Sequence, residues 1–427
     1  MKITGDLNLM KKINKSIVLQ LLRKASPLSR AEVAKTTGLT KATVSTLVAE
    51  LMEESLLYEI GTGESSGGRK PVLLVFRQDA GYAIGVDLGV RDIHAVLTDL
   101  KGTIVHETRS SLRGMDTPEQ VLGRLKDCLR RLMNKAPASP YGVVGIGVGV
   151  PGITDDKGTV LFAPNLGWRN VPLQSLLEAE FKVPVIIDNE ANAGAVGEKE
   201  FGIGRNVSNL IYISVGIGIG SGIILKDELY RGASGYSGEM GHITVHADGR
   251  PCRCGNVGCW ELYASEQAIL AEAEALLSPD AADGGSGAAG GAAGSSGAET
   301  AAETDDSAAE VPRQAELEAL AALADTGNSA AQELFRRTGR YLGVGVVNII
   351  NTFNPELIII GNRFTLAERW LAPSVREVIQ ERALPYHRER LRLEFAGLGL
   401  RSSVAGAASF AVSGFFADRQ VSVGVNG

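Results

Sequence analysis

Three cysteines and a histidine in the stretch 238–261 have the types and spacing to do chemistry. The stretch reads GEMGHITVHADGRPCRCGNVGCWE, and it brings His242, Cys252, Cys254 and Cys259 within eighteen positions. Three thiolates and one imidazole are the ligand mix of a closed, four-coordinate zinc site. With no open position left on the ion, such a site holds a loop in place and does not act as a Lewis acid. Gly255 and Gly258 allow the tight backbone that closely spaced ligands need.

Stepping outward, the chain must fold so as to position that loop. At 427 residues it is long enough for two or three domains. Its four cysteines, three of them grouped for metal, argue for a reducing compartment and against a disulfide framework. With no apolar leader and no run of membrane-spanning length, the expected location is the cytoplasm, with no membrane partner. The net charge of −6 hides an asymmetry. Up to Phe76, eleven basic residues face seven acidic ones, so a small basic head precedes an acidic body.

The head reads as a helix-turn-helix with a wing. Leu9, Ile13, Ile17, Leu21 and Leu22 recur at helical spacing until Ser26 and Pro27. Ser29 and Glu32 form a capping box for a second helix that stops at Gly38, and Thr40 caps a third. Val44, Leu47, Val48 and Leu51 make the buried stripe of that third helix. Lys41, Ala42, Thr43, Ser45 and Thr46 face the other way, small and hydroxylated enough to enter a major groove. Strands are expected at 56–60 and 72–76, flanking a glycine-rich tip that ends in Arg69 and Lys70, two cations for phosphates or the minor groove. Operator DNA is therefore the expected partner of residues 1–77.

From Tyr82 the pattern becomes alternating strands and helices with glycine-rich loops at strand ends, the signature of an α/β fold that binds ligands at those ends. Residues 278–312 are nearly all Ala, Gly, Ser, Asp and Glu, and are expected to be a disordered insertion.

The order GIGIGSG (216–222), GEMGH (238–242), CRCGNVGC (252–259) and WELYAS (260–265) resembles the signature of the ROK family of repressors, open reading frames and kinases. The resemblance runs from about Gly81 to the C-terminus, and with the winged head it points to the repressor branch. It implies a two-lobed, actin-like (ribonuclease H-like) domain, with residues 80–190 plus 404–420 as one lobe and 191–403 as the other. It also implies a sugar in the interlobe cleft, xylose being the expected one, held by Asn165, Asn189, Glu190, Glu239, His242 and Glu261. Carboxylates and amides suit a polyol, because each can meet two hydroxyls. His242 would then serve both metal and sugar.

The kinases of the family need a phosphate cradle, and here the sequence departs from theirs. Their first loop reads Asp-x-Gly-Gly-Thr/Ser, where this chain has Asp87, Leu88, Gly89, Val90 and Arg91. Their Gly-Thr-Gly loop is here Gly216, Ile217, Gly218; Glu190 takes the place of their catalytic aspartate; and Asn362 follows Gly361 where they have a second glycine. The expectation is a sugar-responsive repressor without catalytic residues. It would bind a palindromic operator as a homodimer or homotetramer and let go when sugar binds. The rival expectations are an active sugar kinase carrying a DNA-binding head, and a zinc-scaffolded interaction protein indifferent to sugar.

Overall fold

The computed structural model describes residues 7–62, 72–115, 117–277 and 316–417. Arg69 and Lys70 lie outside the described residues, as does the stretch 278–312 expected to be a disordered insertion.

Local capping chemistry builds the head. Helices span Leu7–Ala25, Arg30–Thr37 and Lys41–Glu53. Ser29 Oγ accepts from Glu32 N while Glu32 Oε2 accepts from Ser29 N, a reciprocal box that satisfies two of the donors a helix start leaves open. Gly38, at φ 72°, ends that helix in the left-handed conformation glycine adopts without strain. Thr40 Oγ1 caps the third helix by accepting from Thr43 N. Strands Leu57–Thr62 and Val72–Phe76 pair antiparallel, and a two-residue strand at Leu28–Ser29 adds to the far edge. The apolar stripe of the first helix is rotated from its expected phase. Val18, Leu19 and Leu22 are buried and Ile17 is 42% exposed. The reason is tertiary: the helix turns its Lys11 and Lys15 side toward Glu50 of the third helix and Glu54 just past its end, which carries Ile17 outward.

The body is built from two five-stranded sheets with one plan. In the first, strands Tyr82–Leu88, Asp92–Asp99 and Ile104–Ser111 form an antiparallel meander. Val143–Val150 and Val185–Asn189 then add in parallel on the other side of Tyr82–Leu88. The second sheet repeats this, with the meander Leu210–Val215, Ile219–Leu225, Glu228–Leu229 and the parallel additions Leu357–Gly361 and Arg392–Phe395. Numbered within each sheet, both run 3-2-1-4-5. Two lobes of identical topology facing one another make the actin-like architecture.

Helices Glu190–Glu200 and Ser402–Ala417 lie side by side between the lobes. Their backbones approach so closely that a Cβ on Gly406 would sit 1.7 Å from the Ala193 carbonyl oxygen, so only glycine fits there. The far end of Ser402–Ala417 reaches the head. Phe416 packs on Phe76 with ring centroids 6.2 Å apart and lies under the Arg23 guanidinium at 5.2 Å. Tyr141 Oη donates to the Glu54 carbonyl at 2.6 Å. One apolar cluster thus joins Leu47 and Leu74 of the head to Val144 and Val412 of the first lobe. Among the described residues, no helix is long and apolar enough to cross a membrane.

Candidate functional site

The metal-type cluster forms on a loop after a single turn at Met240–His242. Isolated bridges Thr244↔Cys259 and Pro251↔Val257 fold the loop back on itself. Gly255 and Gly258 take φ of 93° and 72°, which a side chain would strain. The four ligand atoms lie within 4.8 Å of one another. Cys254 Sγ and Cys259 Sγ are 3.7 Å apart, as are Cys252 Sγ and His242 Nδ1. Four ligands at about 2.3 Å round a tetrahedral ion would stand about 3.8 Å apart, so the spacing fits a metal. Burial pushes the Cys252 thiol up to about 12, so keeping it as a thiolate calls for a cation in contact. Asn256 Nδ2 donates to Cys259 Sγ at 3.4 Å and to the His242 carbonyl at 3.3 Å, steadying both ligands. Trp260, fully buried, anchors the loop by donating Nε1 to the Tyr341 carbonyl at 2.9 Å.

This loop is one wall of a cavity of about 930 Å3 between the lobes. Asn165, Asn189, Glu190, Glu239, His242 and Glu261 all line it, together with Cys252 and Cys254. The first three come from the first lobe and its connecting helix, the last three from the second. Glu261 Oε1 stands 3.5 Å from His242 Nδ1 and 3.4 Å from Cys252 Sγ, so the metal-type cluster and the carboxylate share an edge. Burial raises the Glu239 carboxyl above its ordinary value, against the nearby His242. It raises Glu190 too, against a hydrogen bond from Ser214 Oγ at 3.3 Å. Asn189 is more committed than its neighbours. Its Oδ1 caps helix Glu190–Glu200 through Ala191 N at 2.7 Å, and its Nδ2 donates to the Gly152 carbonyl at 3.0 Å. One N–H and one lone pair remain for a ligand.

At the other end of the cavity lie Gly89, Arg91, Gly216, Glu266, Asn362 and Arg363. Asn362 Nδ2 donates to Ser214 Oγ at 3.0 Å, and it stands so near Gly216 that an added Cβ there would meet it at 3.1 Å. Two cavity residues escaped the sequence reading. Asp87 and Asn192 each keep a buried oxygen, Oδ1, with no hydrogen-bond partner among the described residues. Asp87 had a sequence signal, as the start of the first glycine loop, but one that spoke of phosphates.

In the head, Lys41, Ala42, Ser45 and Thr46 are exposed and Thr43 half-buried. Ser45 Oγ and Thr46 Oγ1 donate to the carbonyls of Lys41 and Ala42, which leaves their lone pairs outward as acceptors.

The model of the ROK family matches residues 83–413, and that of the IclR helix-turn-helix domain matches residues 17–61. The chain belongs to the ROK family. The xylose repressor of Bacillus spizizenii is 41% identical over 96% of this chain and 98% of its own. A ROK family transcriptional regulator described as a homologue of the E. coli Mlc protein superposes with a TM-score of 0.75 at 27% identity, covering 96% of this chain and 98% of its own. A ROK glucokinase from Streptomyces griseus, solved with glucose and AMPPNP, gives 0.64 at 30% identity over 78% of this chain and 100% of its own. The repressor relatives therefore include the DNA-binding head, and the kinase matches the ROK body without it.

Proposed function

We propose that the protein is a sugar-responsive transcriptional repressor. In this reading it binds a palindromic operator as a homodimer or homotetramer and is released by a monosaccharide, xylose by the names of its relatives. The observation that carries the reading is the division of one cavity. The polar groups at the metal-side end keep hydrogen-bonding capacity for a polyol, while those at the glycine-loop end are bound to one another. Asn165, Asn189, Glu190, Glu239, His242 and Glu261 hold the sugar, and zinc at His242, Cys252, Cys254 and Cys259 supplies a fixed frame for the loop. With Nδ1 turned to the cluster, His242 has Nε2 free for a sugar hydroxyl.

Phosphoryl transfer is disfavoured on the same grounds. Asn362 crowds Gly216, Arg91 is paired where a phosphate loop would leave bare N–H groups, and Glu190 replaces a shorter base. DNA recognition falls to Lys41, Ala42, Thr43, Ser45 and Thr46, with Arg69 and Lys70 on the wing. Helix Ser402–Ala417 is the route between the two functions. At its start, Ser403 Oγ donates to the Glu190 carbonyl at 3.0 Å, and at its end Phe416 rests on Phe76.

Titrating operator at fixed salt, with and without a panel of pentoses and hexoses, tests the reading. Each tenfold loss of operator affinity requires about 1.4 kcal/mol of differential sugar binding. Operator affinity indifferent to every sugar would sink it, and turnover of ATP with any of the sugars would restore the kinase reading.

A further inference from the structure

The glycine-loop end of the cavity holds an ion cluster that sugar recognition does not use. Arg91 lies in the turn between strands Tyr82–Leu88 and Asp92–Asp99 of the first lobe, and its Nη1 donates to Glu266 Oε1 at 3.3 Å. Glu266 belongs to the second lobe, as the first residue of helix Glu266–Leu277, and its N–H donates to the Gly216 carbonyl at 2.9 Å. The same carboxylate oxygen accepts from Arg363 Nε at 3.2 Å, and Arg363 Nη2 continues to Glu318 Oε2 at 2.5 Å. The Glu266 side chain is 2% exposed. One carboxylate withdrawn from water thus holds two guanidinium groups, one from each lobe.

Position and exposure decide which cross-cleft pair matters. Arg231 and Asp188 pair across the lobes at 2.6 Å, with Asp188 4% exposed, but neither lines the cavity. Arg113 and Glu316 also join the lobes, at 2.5 Å, but their side chains are 74% and 49% exposed. A pair so open to solvent contributes little, whereas stripping one partner from a buried carboxylate is strongly unfavourable. The buried cluster is also wired to the sugar end. Asn362, the chain neighbour of Arg363, donates to Ser214 Oγ at 3.0 Å, and Ser214 Oγ donates to Glu190 Oε1 at 3.3 Å.

The geometry points to Arg91, Glu266 and Arg363 as an interlobe clasp that sets how far the cleft stands open before sugar arrives, with Glu266 as a positioning residue for sensing. It rests on the reading of the cavity as a sugar site. Asn165, Asn189 and Glu190 stand on one side of the cleft and Glu239, His242 and Glu261 on the other, so a sugar needs both sides at a fixed separation. The clasp supplies that separation from the chain's own side chains, with no nucleotide bridging the lobes.

The test uses the full chain with Arg91→Ala, Arg91→Lys and Glu266→Gln. Small-angle scattering without sugar reads lobe separation, and calorimetric titration with xylose reads affinity. Arg91→Ala is expected to enlarge the sugar-free radius of gyration and raise the xylose Kd about tenfold. Arg91→Lys, which keeps the charge, is expected to recover part of both, a rescue that a purely structural role would not produce. Arg91 is 38% exposed, so its replacement leaves a folded protein even where Glu266→Gln does not. An unchanged radius in Arg91→Ala overturns the clasp. A wild-type chain that binds no sugar defeats the reading of the cavity, and the radius still decides the clasp.

Discussion

The two ends of the interlobe cavity are both rich in polar side chains, yet those side chains are in opposite states. At the glycine-loop end, Arg91, Glu266, Arg363 and Asn362 are bonded to one another or to Ser214 and Glu318. At the metal-side end, Asn189 keeps one N–H and one lone pair and Glu190 has one hydroxyl for a whole carboxylate, while Asp87 and Asn192, which also line the cavity, hold buried oxygens with no partner among the described residues. A buried polar atom left unpaired costs about 1–3 kcal/mol, so a fold retains it where a ligand will complete it. Groups already paired within the chain have less to offer a ligand. The contrast separates a place that awaits a small polar molecule from a place that the chain has filled itself.

The largest expected effect comes from the metal-type cluster, whose removal would erase the ordered end. Cys254→Ser is expected to drop zinc from about one per chain to a small fraction, with affinity down by at least ~100-fold. Elemental analysis of the purified chain reads it directly. The sugar response of operator binding should vanish with the metal, because His242 and Glu261 are held by the same loop. A sugar response that survives metal loss would show that the loop keeps its shape without the ion, and that the cluster does not aim the sugar-facing groups.

Next in size is Glu190→Ala, at the sugar end. A charged hydrogen-bond partner is worth about 1.5–3 kcal/mol, so the xylose Kd is expected to rise by tenfold or somewhat more. The same substitution should leave affinity for operator in sugar-free buffer within a factor of two. Equal losses of both would mean that Glu190 supports the interlobe helix rather than the ligand.

Away from the cavity, Thr43→Ala is expected to change which operator is preferred, by about 1 kcal/mol at one base position, with the xylose Kd untouched. Binding to a library of operator half-sites measures it. Lys41→Ala should instead weaken all sequences alike and flatten the salt dependence by about one ion.

Legibility in the sequence followed the range of the forces involved. The caps at Ser29 and Thr40 and the stop at Gly38 were readable because a cap is decided within four residues. The two sheets announced themselves through apolar runs such as 143–150 and 357–361. The phase of the first helix was not readable, since Ile17 loses its burial to a partner helix that lies some thirty residues on. Leu28–Ser29 is too short to carry a pattern and becomes a strand only beside Leu73 and Leu74. At the cavity, the cysteine spacing and the glycine loops drew attention to the right stretches. Glu266 carried no such mark. Its importance is created by Arg91, 175 positions away, and by Arg363, 97 positions away, and no local window holds all three.

The smallest expected effect is also the most direct probe of an unfilled group. Burial, and after it the nearby Glu190 and Asp92, lift the Asp87 carboxyl well above its ordinary value, with Arg109 opposing. The folded chain therefore holds this proton more tightly than the unfolded chain does. Between the ordinary carboxylate value and the raised one, the native state binds more protons, so stability falls as pH rises through that window. From the ordinary value upward the buried carboxyl costs the native state stability, and well below pH 4 it is protonated in both states. Asp87→Asn is thus expected to raise Tm by about one degree near pH 7, on the order of 1 kcal/mol in a chain this long, and to change it still less near pH 4. Melting curves from pH 4 to 8 with and without xylose check this, and sugar should narrow the gap if it satisfies the wild-type carboxylate. A variant less stable than wild type at neutral pH would show that Asp87 is held charged by a partner. The cavity would then lose one of its unfilled groups, and the contrast drawn from them would weaken by that much.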